Sequence, residues 1–297
     1  RLFDPEAADF VESTFGFHRA PVIRSTGRYD HQKNGTRTLF ESSVTSEDVI
    51  DYKFLGRTLQ LTGATARITT SPRRHEVTDL SLQAFGGTVG GKVTVTTDPE
   101  NPSRTNAGIR WDNLSLENIG RTFDFEKAAQ GSITGRIDFT TLAGQTDSFN
   151  GEGVIGLRDG QLFNVPVFGH LSPPLGTVLG RTFSHEQARD ASASFVFRNG
   201  VAFTQDFLTS TPSTTFVGEG SVDLVRKQVD LTMRMNARGL LGLVTLPITP
   251  LKGFFQFRGQ GPLKKPVWSA APFTQPAGGP AHPIFKDPPR AQVVPER

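Results

Sequence analysis

The chain has no cysteine among its 297 residues. This excludes disulfide staples, thiolate metal sites and a cysteine nucleophile. It is compatible with an oxidising envelope but does not by itself fix a compartment. Tyrosine, tryptophan and methionine occur only twice each. Apolar runs are short: the longest candidate, "GLLGLVTLPITPL" (239–251), falls well below the roughly 18 residues a spanning helix needs and is broken by Pro247 and Pro250. The formal net charge is only +3, with basic residues scattered along the chain, so no nucleic-acid partner is expected. The histidines are His18, His31, His75, His170, His185 and His282. None stands at metal-ligand spacing, and neither H-E-x-x-H nor G-x-S-x-G occurs. "SHEQ" (184–187) reads as a helix start in which Ser184 and Gln187 form a capping box. No catalytic residue, metal or other cofactor is therefore expected. The chain opens on Arg1 rather than Met, which is expected of a piece of a longer protein with its N-terminal signal or anchor elsewhere.

What the sequence does hold is 31 glycines, 20 prolines and 24 phenylalanines. That balance predicts many short strands joined at glycine turns. With 36% hydrophobic residues, one thin layer with much solvated surface is expected instead of a thick core. Two glycine motifs need separating from nucleotide chemistry. "FGGTVGGKVTVTT" (85–97) nearly spells a P-loop, but Val93 stands where a Ser or Thr would ligate Mg²⁺. The residues after Lys92 are a β-branched alternating run where the motif needs a helix. "GEGVIG" (151–156) fits G-x-G-x-x-G, yet it continues as alternating apolar residues rather than opening a helix. Both are read as β-structure.

Alternation runs through 56–70 and 77–97, with a polar gap at 98–104. Residues 106–119 begin as a strand, 123–130 are expected to hold a helical turn or two, and 131–144 form another strand. A short helix is expected over 4–14. Residues 153–166 predict a hairpin around Asp159-Gly160, with Leu157 on the face of Ile155. Short helical pieces are expected over 167–191. Residues 193–204 predict a second hairpin. A three-residue loop, Arg198-Asn199-Gly200, brings Phe195, Phe197, Val201 and Phe203 to one face, and the hydrophobic pattern favours it over a two-residue turn. Residues 219–235 predict a third hairpin pairing Leu224 with Val229 and Val222 with Leu231. Met233 lies on the same face, with Asp223, Asp230 and Arg234 opposite. Beyond Trp268 the chain is proline-rich with little alternation, so 270–297 is expected to be a linker or disordered tail behind a single domain over 1–269.

These stretches carry a resemblance. "LQAFGGTVGG" (82–91), "LAGQTDSFNGEGVIGLRDGQLFNVP" (142–166), "ASASFVFRNGVAFTQDFLTSTPSTTFVGEGSVDLVRKQVDLTM" (191–233) and "GFFQFRGQGPLKKPVWS" (253–269) resemble, in that order, motifs of AsmA-like envelope proteins. The resemblance covers about residues 77–269. It implies an all-β fold with a few short helices: an elongated, twisted antiparallel sheet curled into a gutter whose concave face is apolar, as in bridge-like lipid-transfer proteins. It implies the periplasmic side of the bacterial cell envelope and an inner-membrane anchor outside this chain. It also implies phospholipid or another envelope lipid as partner, with possible envelope proteins, and it carries no catalytic motif. The candidate lipid-lining face comprises Phe195, Phe197, Val201, Phe203, Val222, Leu224, Val229, Leu231 and Met233. The same face packed shut, as a structural scaffold, is the alternative.

Overall fold

The computed structural model describes residues 12–31, 37–54, 56–124, 130–160, 190–210, 214–237 and 256–272. Sixteen strands follow in chain order: β1 (Phe15–Phe17), β2 (Val22–Arg28), β3 (Leu39–Ser46), β4 (Ile50–Phe54), β5 (Arg57–Ser71), β6 (Arg74–Ala84), β7 (Gly87–Thr96), β8 (Arg104–Ser115), β9 (Ser132–Leu142), β10 (Gln145–Arg158), β11 (Asp190–Arg198), β12 (Val201–Ser210), β13 (Thr214–Asp223), β14 (Gln228–Ala237), β15 (Gln256–Pro262) and β16 (Val267–Ala270). All belong to one antiparallel sheet that stays open and does not close into a barrel. Fourteen strands run in the order β1-β4-β5 and then consecutively to β16, while β2 and β3 pair with each other and extend from β5 beside β4. Thirteen steps of roughly 4.8 Å give a sheet about 62 Å long across its strands.

The alternation explains why one sheet serves so long a chain. Residues directly opposite in an antiparallel pair point to the same face. Following the registers, Phe15 faces Tyr52, Tyr52 faces Leu59, and Leu61 faces Ala84. Leu82 then faces Val89, Val89 faces Trp111, and Ile109 faces Ile137. Ile155 faces Ala193 and Ala202 faces Val222. Leu231 and Met233 stand beside Gly259 and Phe257. A single apolar face therefore runs from β1 to β16. The other face carries Lys92, Arg110, Arg136, Asp138 and Glu152, all exposed, followed by Asp230, Arg258 and Gln260. There Arg258 Nε and Nη2 donate to the two Asp230 carboxylate oxygens at 2.9 and 2.8 Å.

Glycines on the apolar face sit under large neighbours. A Cβ on Gly135 would lie 2.6 Å from a ring carbon of Trp111, and one on Gly259 2.6 Å from a ring carbon of Trp268. Each indole lies flat where a side chain would stand, so a bulky ring is accommodated without pushing the strands apart.

Several local expectations are corrected. A helix, α1 (Leu116–Phe123), forms where 106–119 were read only as beginning in a strand; of the helical turn expected over 123–130, residues 125–129 lie outside the described residues. Residues 12–14 are helical, and the rest of the 4–14 segment lies outside them. The expected 153–166 hairpin does not form around β10. Through Leu157 both edges of that strand are taken, one by β9 and the other by β11. Residues 161–166, the tail from 273 and almost all of 167–191 fall outside the described residues; Asp190 and Ala191 begin β11, where helical pieces were expected. The P-loop lookalike is strand, two-residue turn at Phe85-Gly86, strand, with Lys92 exposed on β7.

Candidate functional site

The β11–β12 hairpin decides which predicted residues share a face. Arg198 pairs with Val201, Phe197 with Ala202 and Val196 with Phe203. The turn is the two-residue Asn199-Gly200, with φ of 51° and 76°. Two successive positive φ values match the right-handed twist of the flanking strands, which outweighs the hydrophobic pattern that favoured a longer loop. Phe195 and Phe197 consequently lie on the apolar face, and Val201 and Phe203 lie on the opposite one. Phe203 is 41% exposed.

A bulge between Thr204 and Phe207 then reverses the parity of β12. Phe207, absent from the sequence-derived set, comes to the apolar face and is buried. Asp206 supports this bulge: its Oδ1 accepts from the Ser194 backbone N–H at 2.8 Å and the Thr204 hydroxyl at 3.3 Å. Asp206, of a residue type depleted in strands, was the available signal within β12.

In the next hairpin Val222 pairs with Val229, and Leu231 with Gly220. The predicted register was off by two residues. A slip of two preserves faces, so Val222, Val229, Leu231 and Met233 do share the apolar face. Leu224 is not in a strand but in the 224–227 turn, where its N–H donates to Gly200 O at 3.0 Å. Asp223, Asp230 and Arg234 take the opposite face as expected, and Arg234 donates to Glu219 at 2.7 Å.

On this apolar face β10–β15 build a packed cluster. Leu157, Ala193, Phe207, Phe216, Val229, Leu231, Met233 and Phe257 belong to it, with Phe195 and Val222 at its margin. A smaller cluster gathers Ile50, Leu59, Leu61 and Ala84 at the other end of the sheet. Helix α1 spans both, because Leu116 enters the first and Phe123 packs on the second. Its apolar residues Leu116, Ile119 and Phe123 recur at helical spacing. Ser115 caps it, its hydroxyl accepting from the Asn118 N–H at 3.2 Å. Asp124 ends it in the left-handed region and pairs with Arg57 of β5. Between α1 and the sheet lies a cavity of about 390 Å³.

Aromatic rows mark two further places on the face. Phe17, Phe15, Tyr52 and Phe54 stack with centroid spacings of 6.2, 5.1 and 6.0 Å. Phe139, Phe149 and Phe197 follow at 4.8 and 5.0 Å. Among the described residues, no three His, Asp or Glu side chains gather as a metal site, and no helix is long and apolar enough to cross a membrane. His18, hydrogen-bonded to Asp51 at 2.8 Å, has its pKa raised by that bond and by the Asp51 charge. It is exposed.

The fold and this face define an open, single-sheet antiparallel β-protein with one continuous apolar side. Comparison of the chain with protein-family models, with curated proteins and with solved structures gave no match.

Proposed function

We propose that this chain is a non-enzymatic lipid-transfer or envelope-assembly protein that shields acyl chains along the apolar face of its sheet. The observation that carries the reading is continuity: one face stays apolar across strands drawn from the whole described chain. Two acyl chains hold about thirty methylenes at roughly 0.8 kcal/mol each, so exposing them to water costs on the order of 20 kcal/mol. A carrier needs a long apolar surface for that and no specific chemistry. The AsmA-like resemblance adds the periplasmic side of a bacterial envelope, with phospholipid or another envelope lipid as cargo and a membrane anchor beyond this chain.

The experiment is native mass spectrometry of the purified protein together with lipid extraction. Co-purified lipid that is lost in Ile137→Asp, a half-buried position on the face, supports the reading. A lipid-free protein that also fails to take lipid from vesicles would sink it. A second reading, a closed structural scaffold, draws on a different observation: Phe216 and Phe257 have no exposure at all, so part of the face is already filled.

A further inference from the structure

We infer that the cavity beneath α1 is a binding site for a single hydrocarbon chain, recognised by its length and not by the polar group at its end. This rests on reading the apolar face as lipid-shielding. It adds where one chain is held, how long a chain fits and what is not recognised.

Three observations lead there. First, the size is bounded. The cavity measures about 390 Å³. If a methylene fills about the ~30 Å³ share of a liquid water, some thirteen carbons fit. Second, the walls are apolar on both sides. Ile119 and Leu116 descend from α1, while Ile155, Phe195, Phe207 and Met233 rise from the sheet. Glycine on β13 lets the large Met233 and Phe207 side chains of the wall lie close over the strand. A Cβ at Gly218 would come within 2.6 Å of Met233 Sδ and 3.0 Å of Phe207. Third, among the described residues no cation lines the cavity, and the ionisable residue that does, Glu219, belongs to the polar face and is engaged by Arg234. A carboxylate or phosphate finds no charged partner among these residues, and burying it unpaired is costly. The head group must stay outside and contribute little to selection.

The test measures binding of n-alkanoates and n-alkanols of six to sixteen carbons to the full chain, by displacement of a fluorescent polyene fatty acid. Each added methylene should tighten binding about fourfold, and the gain should stop near thirteen carbons. Acid and alcohol of equal length should fall within about tenfold of one another, since neither end is contacted. Ile119→Trp, which fills the cavity, should weaken the whole series. Ile119→Ala, which enlarges it and leaves the helix intact, should move the plateau to longer chains. A series that climbs without a plateau, a strong dependence on the head group, or plateaus unchanged in both variants would overturn the proposal. If lipid still co-purifies while the plateau is missing, the single-chain site fails and the lipid-shielding face stands. If neither lipid nor alkanoate binds, the broader reading fails with it.

Discussion

The two wings of the sheet share one pattern and end in different states. From β10 to β15 the apolar face is a core: Phe216 and Phe257 are fully buried and Met233 is 2% exposed. From β6 to β9 the same alternation leaves the larger Leu82, Val89, Val93, Ile109 and Ile137 half-buried, with Ala84, Ala107 and Leu114 buried among them. At the β2 edge every residue is exposed. Alternation decides which side of a strand is apolar. It does not decide what lies against that side. The half-buried stretch leaves apolar surface uncovered among the described residues, while the packed stretch holds the sheet in shape and walls the cavity under α1. Helix α1 sits between them, touching both clusters.

The sharpest way to break this contrast is a charge on each wing. Phe257→Asp places an unpaired carboxylate in a closed core and should cost several kcal/mol, enough to unfold the C-terminal strands. Ile137→Asp can turn toward solvent and should cost roughly 1–2 kcal/mol with the fold retained. Urea denaturation of both variants is the check, and equal costs would erase the distinction between open and packed regions.

The Asn199-Gly200 turn is the next largest. Gly200 has φ 76°, and an added Cβ would lie 2.7 Å from Thr146 O, so Gly200→Ala should cost roughly 1–3 kcal/mol. If its melting temperature is unchanged, the turn is not the tight one that separates Phe197 from Phe203.

On the polar face smaller effects are expected. The Arg258 guanidinium, through its hydrogen bonds and charge, holds the Asp230 carboxyl below its ordinary pKa. A depressed folded-state value means the pair contributes above the ordinary aspartate pKa, near 3.9, and is lost as pH falls through the lower folded value. Both side chains are about half exposed, so the contribution is on the order of 0–1 kcal/mol and should shrink in high salt. Arg258→Gln should flatten the acid limb of stability against pH; an unaltered limb would show that the pair contributes nothing. Smallest of all is Lys92→Ala. With Val93 next to it and a strand on each side, the substitution should leave stability and lipid content unchanged. Saturable ATP binding that disappears in this variant would reinstate a nucleotide site.

Sequence alone made the all-β class, the rejection of both glycine motifs, and the facing of Val222, Val229, Leu231 and Met233 legible. Side-chain period 2 is a local property, and a two-residue register error leaves it intact. Three features were not legible: the split of Phe197 from Phe203, the arrival of Phe207 and the position of α1. Each depends on a competition that the hydrophobic pattern does not record. Backbone twist favoured a two-residue turn, and the Asp206 carboxylate made a bulge affordable at a strand position. Docking over two apolar clusters drew Leu116, Ile119 and Phe123 into a helix at the end of a stretch that begins as a strand. Sheet order was likewise a tertiary outcome. Asp159-Gly160 has the chemistry of a hairpin turn, but β10 has only two edges, and β9 and β11 occupy both. The sequence by itself determined that there would be an apolar side. Tertiary packing decided where that side is closed, where it is left half-open and where α1 encloses a cavity, because burial depends on what is placed against a face and not on the face itself.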